Sequence, residues 1–215
     1  KLIRNADNRG FAAANNQALR IASGRHVLLL NSDTLVHPGV IDASIDYLDC
    51  HPDVGMMGCR VLNADGTVQA TCSQFPTLAN LLLLTSGLFR VPGLSFAKRY
   101  RMDDWQRDDE RDVDVVSGCY LMVRREATEA VGLLDEDFFF FGEETDWCRR
   151  FRAHGYAVRF APVGTITHFG GGSSTSLNSK RDLMLSEATV RLHRKHGGLF
   201  AAAAAWAILF VFNAS

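Results

Sequence analysis

Short apolar runs alternate with stretches of helical spacing along most of this chain, and that alternation restricts the fold more than any other feature. Phe11 to Ala22 reads as an Ala-rich helix stopping at Gly24, and the strand-like run His26-Val27-Leu28-Leu29-Leu30 follows. Pro38 opens a second helix to about Cys50, with Val40, Ile41, Ile45 and Leu48 as its apolar stripe. Val54 to Cys59 is a short strand, and Asn63-Ala64-Asp65-Gly66 has hairpin-turn chemistry. Val113 to Val123 reads as a strand around Ser117-Gly118, and a helix follows from Arg124 to near Gly132. Glu143 to His154 is a helix ending at Gly155, followed by strands at Tyr156–Pro162 and Thr165–His168. Strands separated by helices predict an α/β fold with a mostly parallel, Rossmann-like sheet flanked by helices.

At 215 residues, the chain can bury one medium-sized core. A formal net charge of -1 gives no basic footprint, which argues against nucleic acid as a partner. Cys50, Cys59, Cys72, Cys119 and Cys148 are odd in number and form no C-x-x-C pair. That pattern fits neither a zinc site nor a disulfide scaffold and suits a reducing cytoplasm. Residues 74–112 are the least regular: Leu81 to Leu84 is a small apolar cluster, Pro92 and Gly93 break the pattern, and Arg101 to Asp114 is strongly charged. Such charge mixtures are ordinarily solvated surface, with a loop over a cleft as the functional alternative.

Chemistry concentrates at three places. Asn31-Ser32-Asp33 falls where the strand at 26–30 leaves the sheet, the end at which open α/β sheets bind ligands. The triplet is either a plain turn or a carboxylate placed to hold a hard cation and, through it, phosphate oxygens. Glu143 and Glu144 head a helix, with Asp146 one turn in, directly after Phe138-Phe139-Phe140-Phe141. Acidic residues suit a first helical turn, yet an apolar wall beside a carboxylate raises its pKa toward that of a general base. His168 precedes Phe169 and a glycine run, and imidazole is a common metal ligand as well as a common bystander.

Taken in order, Arg9-Gly10-Phe11-Ala12-Ala13-Ala14-Asn15-Asn16, Asn31-Ser32-Asp33-Thr34, Ser117-Gly118, Asp135-Glu136-Asp137-Phe138-Phe139, Gly142-Glu143-Glu144-Thr145-Asp146-Trp147-Cys148-Arg149-Arg150 and His168 resemble the family 2 inverting glycosyltransferases. The similarity is to the rhamnosyltransferase-like branch that builds bacterial cell-wall and surface polysaccharides, and it runs from Asn8 to about Gly197. It implies a GT-A fold whose first strand, with the nucleotide-base loop, would precede Lys1. Asn31-Ser32-Asp33 takes the place of the family's DXD motif, so Asp33 would hold Mg²⁺ or Mn²⁺ against the donor diphosphate, with His168 as second ligand. Glu144 stands at the general-base position, with Glu143 as the reserve candidate. Asn31, Gly118, Arg149 and Arg150 fall in donor-binding segments, and the two arginines either support the diphosphate or pair with the acidic trio.

The activity implied is transfer of rhamnose or a similar hexose from a dTDP- or UDP-sugar to a hydroxyl of a lipid-linked or cell-surface glycan. Residues 1–198 form the expected catalytic domain and 199–215 an apolar C-terminal segment. Leu199 to Phe212 is shorter than the ~20 residues a spanning helix needs. With Arg191, Arg194 and Lys195 beside it, this segment is expected to contact the inner face of the cell membrane. The competing readings are a catalytically degenerate docking domain and a nucleotidyltransferase.

Overall fold

The computed structural model describes residues 1–88, 100–170 and 178–213. In chain order the strands are β1 (His26–Leu30), β2 (Thr34–Val36), β3 (Val54–Leu62), β4 (Cys72–Ser73), β5 (Arg111–Asp112), β6 (Val115–Val116), β7 (Tyr120–Arg124) and β8 (Ala157–His168). The helices are α1 (Gly10–Leu19), α2 (Val40–Cys50), α3 (Leu78–Thr85), α4 (Arg125–Val131), α5 (Glu143–Ala153) and α6 (Asn178–Asn213). The main sheet has the order β1-β7-β3-β8-β2, with β5 also on β8, while β4 and β6 form a separate pair. The expected break at Pro92-Gly93 and the glycines after Gly170 lie outside the described residues.

The expectation of a mostly parallel sheet needs correcting in detail, although the α/β class stands. Only β3 and β8 pair in parallel among the described strands; β7 is antiparallel to both β1 and β3, and β2 and β5 are antiparallel to β8. β1, β3 and β8 nevertheless point the same way, because β7 stands between the first two and opposes both. Ser117-Gly118-Cys119 explains how: it divides the single strand expected over 113–123 into β6, which joins β4, and β7, which enters the main sheet.

A second correction concerns β8, expected as two strands and found as one. Its register against β3 shifts between the pairs Gly58↔Phe160 and Arg60↔Thr165. The intervening residues include Pro162, which has no N–H for the ladder. They also include Gly164, where a Cβ would lie 2.6 Å from Val40 Cγ2.

Both faces of the sheet are buried. Along β7, Leu121 and Val123 join one cluster with Met56, Trp147, Phe151 and Phe160, whereas Tyr120 and Met122 join another with Val40, Leu48, Met57 and Ile166. Alternate residues thus enter opposite cores, which is why the sequence of β7 lacks a polar face. α6 is long but bends at Gly198, whose φ of 78° departs from the helix. Beyond the bend Phe200 is 93% exposed, and Trp206 and Phe210 stack on one another at 5.1 Å. No helix among the described residues is long and apolar enough to cross a membrane.

Candidate active site

The ends of β1 and β8 bring together residues that are far apart in the sequence. Thr34 of β2 pairs with His168 of β8, which sets Asp33 beside the imidazole. His168 Nε2 lies 3.3 Å from Asp33 Oδ1 and 3.2 Å from Asn31 Nδ2. On the other side of the ring, His168 Nδ1 is 2.8 Å from Gln69 Oε1, which can only accept, so Nδ1 carries the proton in the neutral ring. The segment is fixed by its backbone. Phe169 N–H donates to the Asp33 carbonyl (2.9 Å), and Thr34 Oγ1 donates to that of Asn31 (2.6 Å).

Two acceptor atoms, the bare Nε2 and a carboxylate oxygen, therefore face each other at 3.3 Å. Such a pair repels unless a cation lies against it or a second proton on the ring turns it into an ion pair. The separation is close to that of neighbouring ligands on one six-coordinate cation with bonds of about 2.1–2.3 Å. This donor set fits a divalent metal that takes its remaining ligands from substrate. No cluster of three or more His, Cys, Asp or Glu suited to a metal occurs among the described residues.

The second group stands at the start of α5, entered through Gly142 at φ 85°. Glu143 is 3% exposed, and its carboxyl is pushed up to about 8, first by burial and then by the neighbouring Glu144. Glu144 is partly exposed as a residue, but its Oε2 is enclosed, and burial raises its pKa too. The Oε2 atoms of both have no hydrogen-bond partner among the described residues. The helix dipole favours charge at this end, but here desolvation outweighs it. Of the four phenylalanines expected to form the apolar wall, Phe138 is buried, whereas Phe139 is exposed. Phe138 packs with Ala188 and Leu192 of α6, so this wall also anchors the C-terminal helix.

Asp146, the third acid, is committed elsewhere. Its fully buried carboxylate meets Arg150 Nε, Lys195 Nζ and His196 Nε2, each at 2.8 Å. The Arg150 fork also donates to the carbonyls of Val131 (3.1 Å) and Leu133 (2.7 Å). Of the two roles expected for the arginines, Arg150 makes the contacts of the acid-pairing one. Arg149 instead lies over the Phe75 ring at 5.3 Å. Asp146→Ala would leave two partly shielded cations, Arg150 and Lys195, and the His196 imidazole without their shared acceptor. It is expected to destabilise the chain by about 3–5 kcal/mol, read as a lower urea midpoint at unchanged slope.

The turn at Ser117–Cys119 borders the first group. Asn31 N–H donates to the Cys119 carbonyl at 3.1 Å. The Cys119 thiol is pushed up by its burial and, in smaller part, by the carboxylate of Glu144. Gly118 packs closely, since a Cβ there would lie 3.1 Å from the Phe11 ring, which would have to shift by a few tenths of an ångström.

Two residues take roles the sequence does not assign: Asn16, which stands in the first family-like run, and Gln69. Asn16, fully buried, donates to the Leu134 carbonyl (2.8 Å) and Glu136 Oε1 (2.9 Å) and accepts from Leu134 N–H, which clamps the loop leading to α5. Gln69 follows the expected turn at 63–66, so the returning arm of that hairpin was the available signal.

Comparisons with known proteins identify the family and the fold. The profile described as Glycosyltransferase like family 2 matches residues 1–193. Over 147 residues the chain is 30% identical to the N-acetylglucosaminyl-diphospho-decaprenol L-rhamnosyltransferase of Mycobacterium tuberculosis, covering 66% of this chain and 46% of that protein. Over 188 residues it is 29% identical to the O-antigen biosynthesis protein RfbC of Myxococcus xanthus, covering 84% of this chain and 14% of that one. The chain thus spans less than half the length of either relative. Among solved structures, the mannosyltransferase PcManGT from Pyrobaculum calidifontis, in complex with GDP-Man and Mn²⁺, superposes at a TM-score of 0.52 with 16% identity. That match covers all of this chain and 58% of PcManGT, and it shows a shared GT-A fold. With its profile match running through β1, the turn at 117–119, α5 and β8, the chain belongs to glycosyltransferase family 2.

Proposed function

We propose that the chain forms the catalytic core of an inverting, metal-dependent hexosyltransferase that moves rhamnose or a similar sugar from a dTDP- or UDP-sugar to a glycan hydroxyl. The observation that carries this reading is the 3.3 Å approach of His168 Nε2 to Asp33 Oδ1. The second support is the carboxylate of Glu144, whose enclosed oxygen has no partner among the described residues. Asp33 and His168 would hold Mg²⁺ or Mn²⁺, which when bound supplies positive charge against the donor diphosphate. Asn31 and Gly118 border the donor, and Arg149, unlike Arg150, retains a guanidinium that can reach toward phosphate.

Glu144 accepts the proton of the acceptor hydroxyl. The acceptor oxygen bonds to the anomeric carbon as the bond to the diphosphate oxygen breaks, and the diphosphate leaves with the electron pair. One displacement inverts the configuration. A carboxylate with a raised pKa is the better base for an alcohol, and burial supplies that rise at α5. Glu143 remains the reserve base.

The acceptor is taken to be lipid-linked, as in the name of the mycobacterial relative. The enzyme would then work at the inner face of the cell membrane, with residues 1–198 as its catalytic domain and 199–215 touching the surface. The exposed Leu199, Phe200, Trp206 and Phe210 support that contact. The basic residues contribute less than their sequence implied: Arg191 lies 3.6 Å from Asp137, and Lys195 pairs with Asp135 and Asp146. Arg194 makes no ion pair among the described residues.

The test is nucleoside diphosphate release by the full-length protein from a panel of dTDP- and UDP-sugars, with a polyprenyl-diphosphate glycan as acceptor and product configuration read by NMR. Release with an inverted anomeric centre is expected. A product with retained configuration, or no release from any donor, overturns the reading.

A further inference from the structure

The part of the structure that the proposed chemistry leaves unexplained is the far side of the His168 ring. Gln69 Oε1 lies 2.8 Å from Nδ1, and Gln69 is itself held in place. Its Nε2 donates to Asn63 Oδ1 at 2.7 Å, which directs the amide oxygen, and not the NH₂, toward the imidazole. Asn63 in turn donates to Thr67 Oγ1 at 2.9 Å, and its own N–H donates to the Thr67 carbonyl at 2.8 Å. The Gln69 N–H donates to the Val61 carbonyl at 2.8 Å, and Leu62 bridges Val68, so this hairpin arm is locked along β3. β3 is paired in register with β8, Leu62 opposite Thr167, which brings the arm to His168.

We propose that Gln69 is a positioning residue that fixes the tautomer of His168. The proton is kept on Nδ1, and Nε2 is left bare beside Asp33 for a divalent cation. The inference rests on the function proposed above only in taking His168 and Asp33 as the metal pair.

The physical argument is one of competition. A neutral imidazole has one proton for two nitrogens, and the better acceptor decides where it resides. Asp33, a carboxylate 3.3 Å from Nε2, would draw the proton to that nitrogen and convert the pair into a closed hydrogen bond. Two groups oppose this. Gln69 accepts from Nδ1–H, and the Asn31 amide, at 3.2 Å, offers a donor to the Nε2 lone pair. Without Gln69, nothing among the described residues accepts from Nδ1. A histidine that binds a metal through one nitrogen requires a partner on the other, and loss of such a partner typically costs 10–100-fold in metal affinity.

The experiment compares the wild-type chain with Gln69→Leu and Gln69→Glu. The ¹⁵N shifts of the His168 ring are recorded above the imidazole titration range, and Mn²⁺ affinity is measured by calorimetry without donor or acceptor. The wild type should show Nδ1–H. Gln69→Leu should move the proton to Nε2 and weaken Mn²⁺ binding by about 10–100-fold. Gln69→Glu, which keeps an acceptor at that place, should restore both. Urea unfolding checks that both variants are folded; should Gln69→Leu fail to fold, the wild-type tautomer and the Gln69→Glu affinity still decide. Nε2–H in the wild type, or Gln69→Leu with unchanged tautomer and Mn²⁺ affinity, overturns the proposal. These readouts need no turnover, so a chain that passes them yet releases no nucleoside diphosphate refutes the proposed activity and not the role of Gln69.

Discussion

Asp33→Ala is expected to lower the rate of sugar transfer by about 10²–10³-fold, the scale at which an enzyme loses a group that stabilises developing charge. Asp33 is the only carboxylate in the Asn31-Ser32-Asp33 triplet, so no neighbour can replace it. Its side chain is one-third exposed, and the contact that fixes the local chain uses its carbonyl, which alanine retains. The variant should therefore unfold within about 0.5 kcal/mol of the wild type, as surface changes usually do. Nucleoside diphosphate release measured against Mn²⁺ concentration separates the two effects. Wild-type turnover with unchanged sensitivity to chelator would remove Asp33 from the site.

Glu144→Gln keeps the shape of the side chain but cannot take a proton, and a loss of about 10²–10⁴-fold in kcat is expected, with donor affinity little changed. If the loss instead follows Glu143→Gln, the base is the neighbouring residue. Both carboxyls are raised by burial, that of Glu143 to about 8, so the rate should climb with pH well above the ordinary carboxylate range.

The same shifts make a claim about stability. A carboxyl with a raised folded-state pKa holds its proton more tightly when folded. Stability is then lost as pH rises from the ordinary carboxylate range toward 8. Glu143→Gln should be the more stable protein above that range, by an amount on the order of a few kcal/mol, and should match the wild type in acid. Denaturant midpoints at acid and alkaline pH would show this, and equal midpoints at both would count against the burial of Glu143.

The sequence made some elements easy to read and hid others for definite reasons. α2, α4 and α5 carry local signals, Pro38 ahead of α2 and the glycines after α4 and α5, and they lie within a few residues of their expected bounds. Strand direction is not a local property. Nothing within Tyr120–Arg124 records that this strand will enter between β1 and β3, so a parallel sheet was the natural inference from alternation alone. The candidate site shows the same division. Asp33, His168 and the Glu143–Glu144 pair stand out because their residue types suggest chemistry. Gln69 and Asn16 do not, because a neutral amide gains meaning only from the atom it meets. In the sequence Asp146 is one acid of three, and burial against Arg150, Lys195 and the His196 imidazole sets it apart.

The position of β7 also bears on how the chain becomes a protein. β1 and β3 emerge from the ribosome before β7, but neither can pair with the other, since the strand that joins them lies far downstream. Until Tyr120–Arg124 has been made, both carry open edges and apolar faces. Sheets built from such distant pairings close slowly, and their unfinished forms are prone to aggregate. The strand that fills the gap between β1 and β3 is continuous with the turn that holds Asn31, so the ribosome delivers the donor-side residues long before they have anything to be held against. Assembly of this site is therefore a late event, and a chain stopped before residue 120 would be a nascent fragment in need of a chaperone.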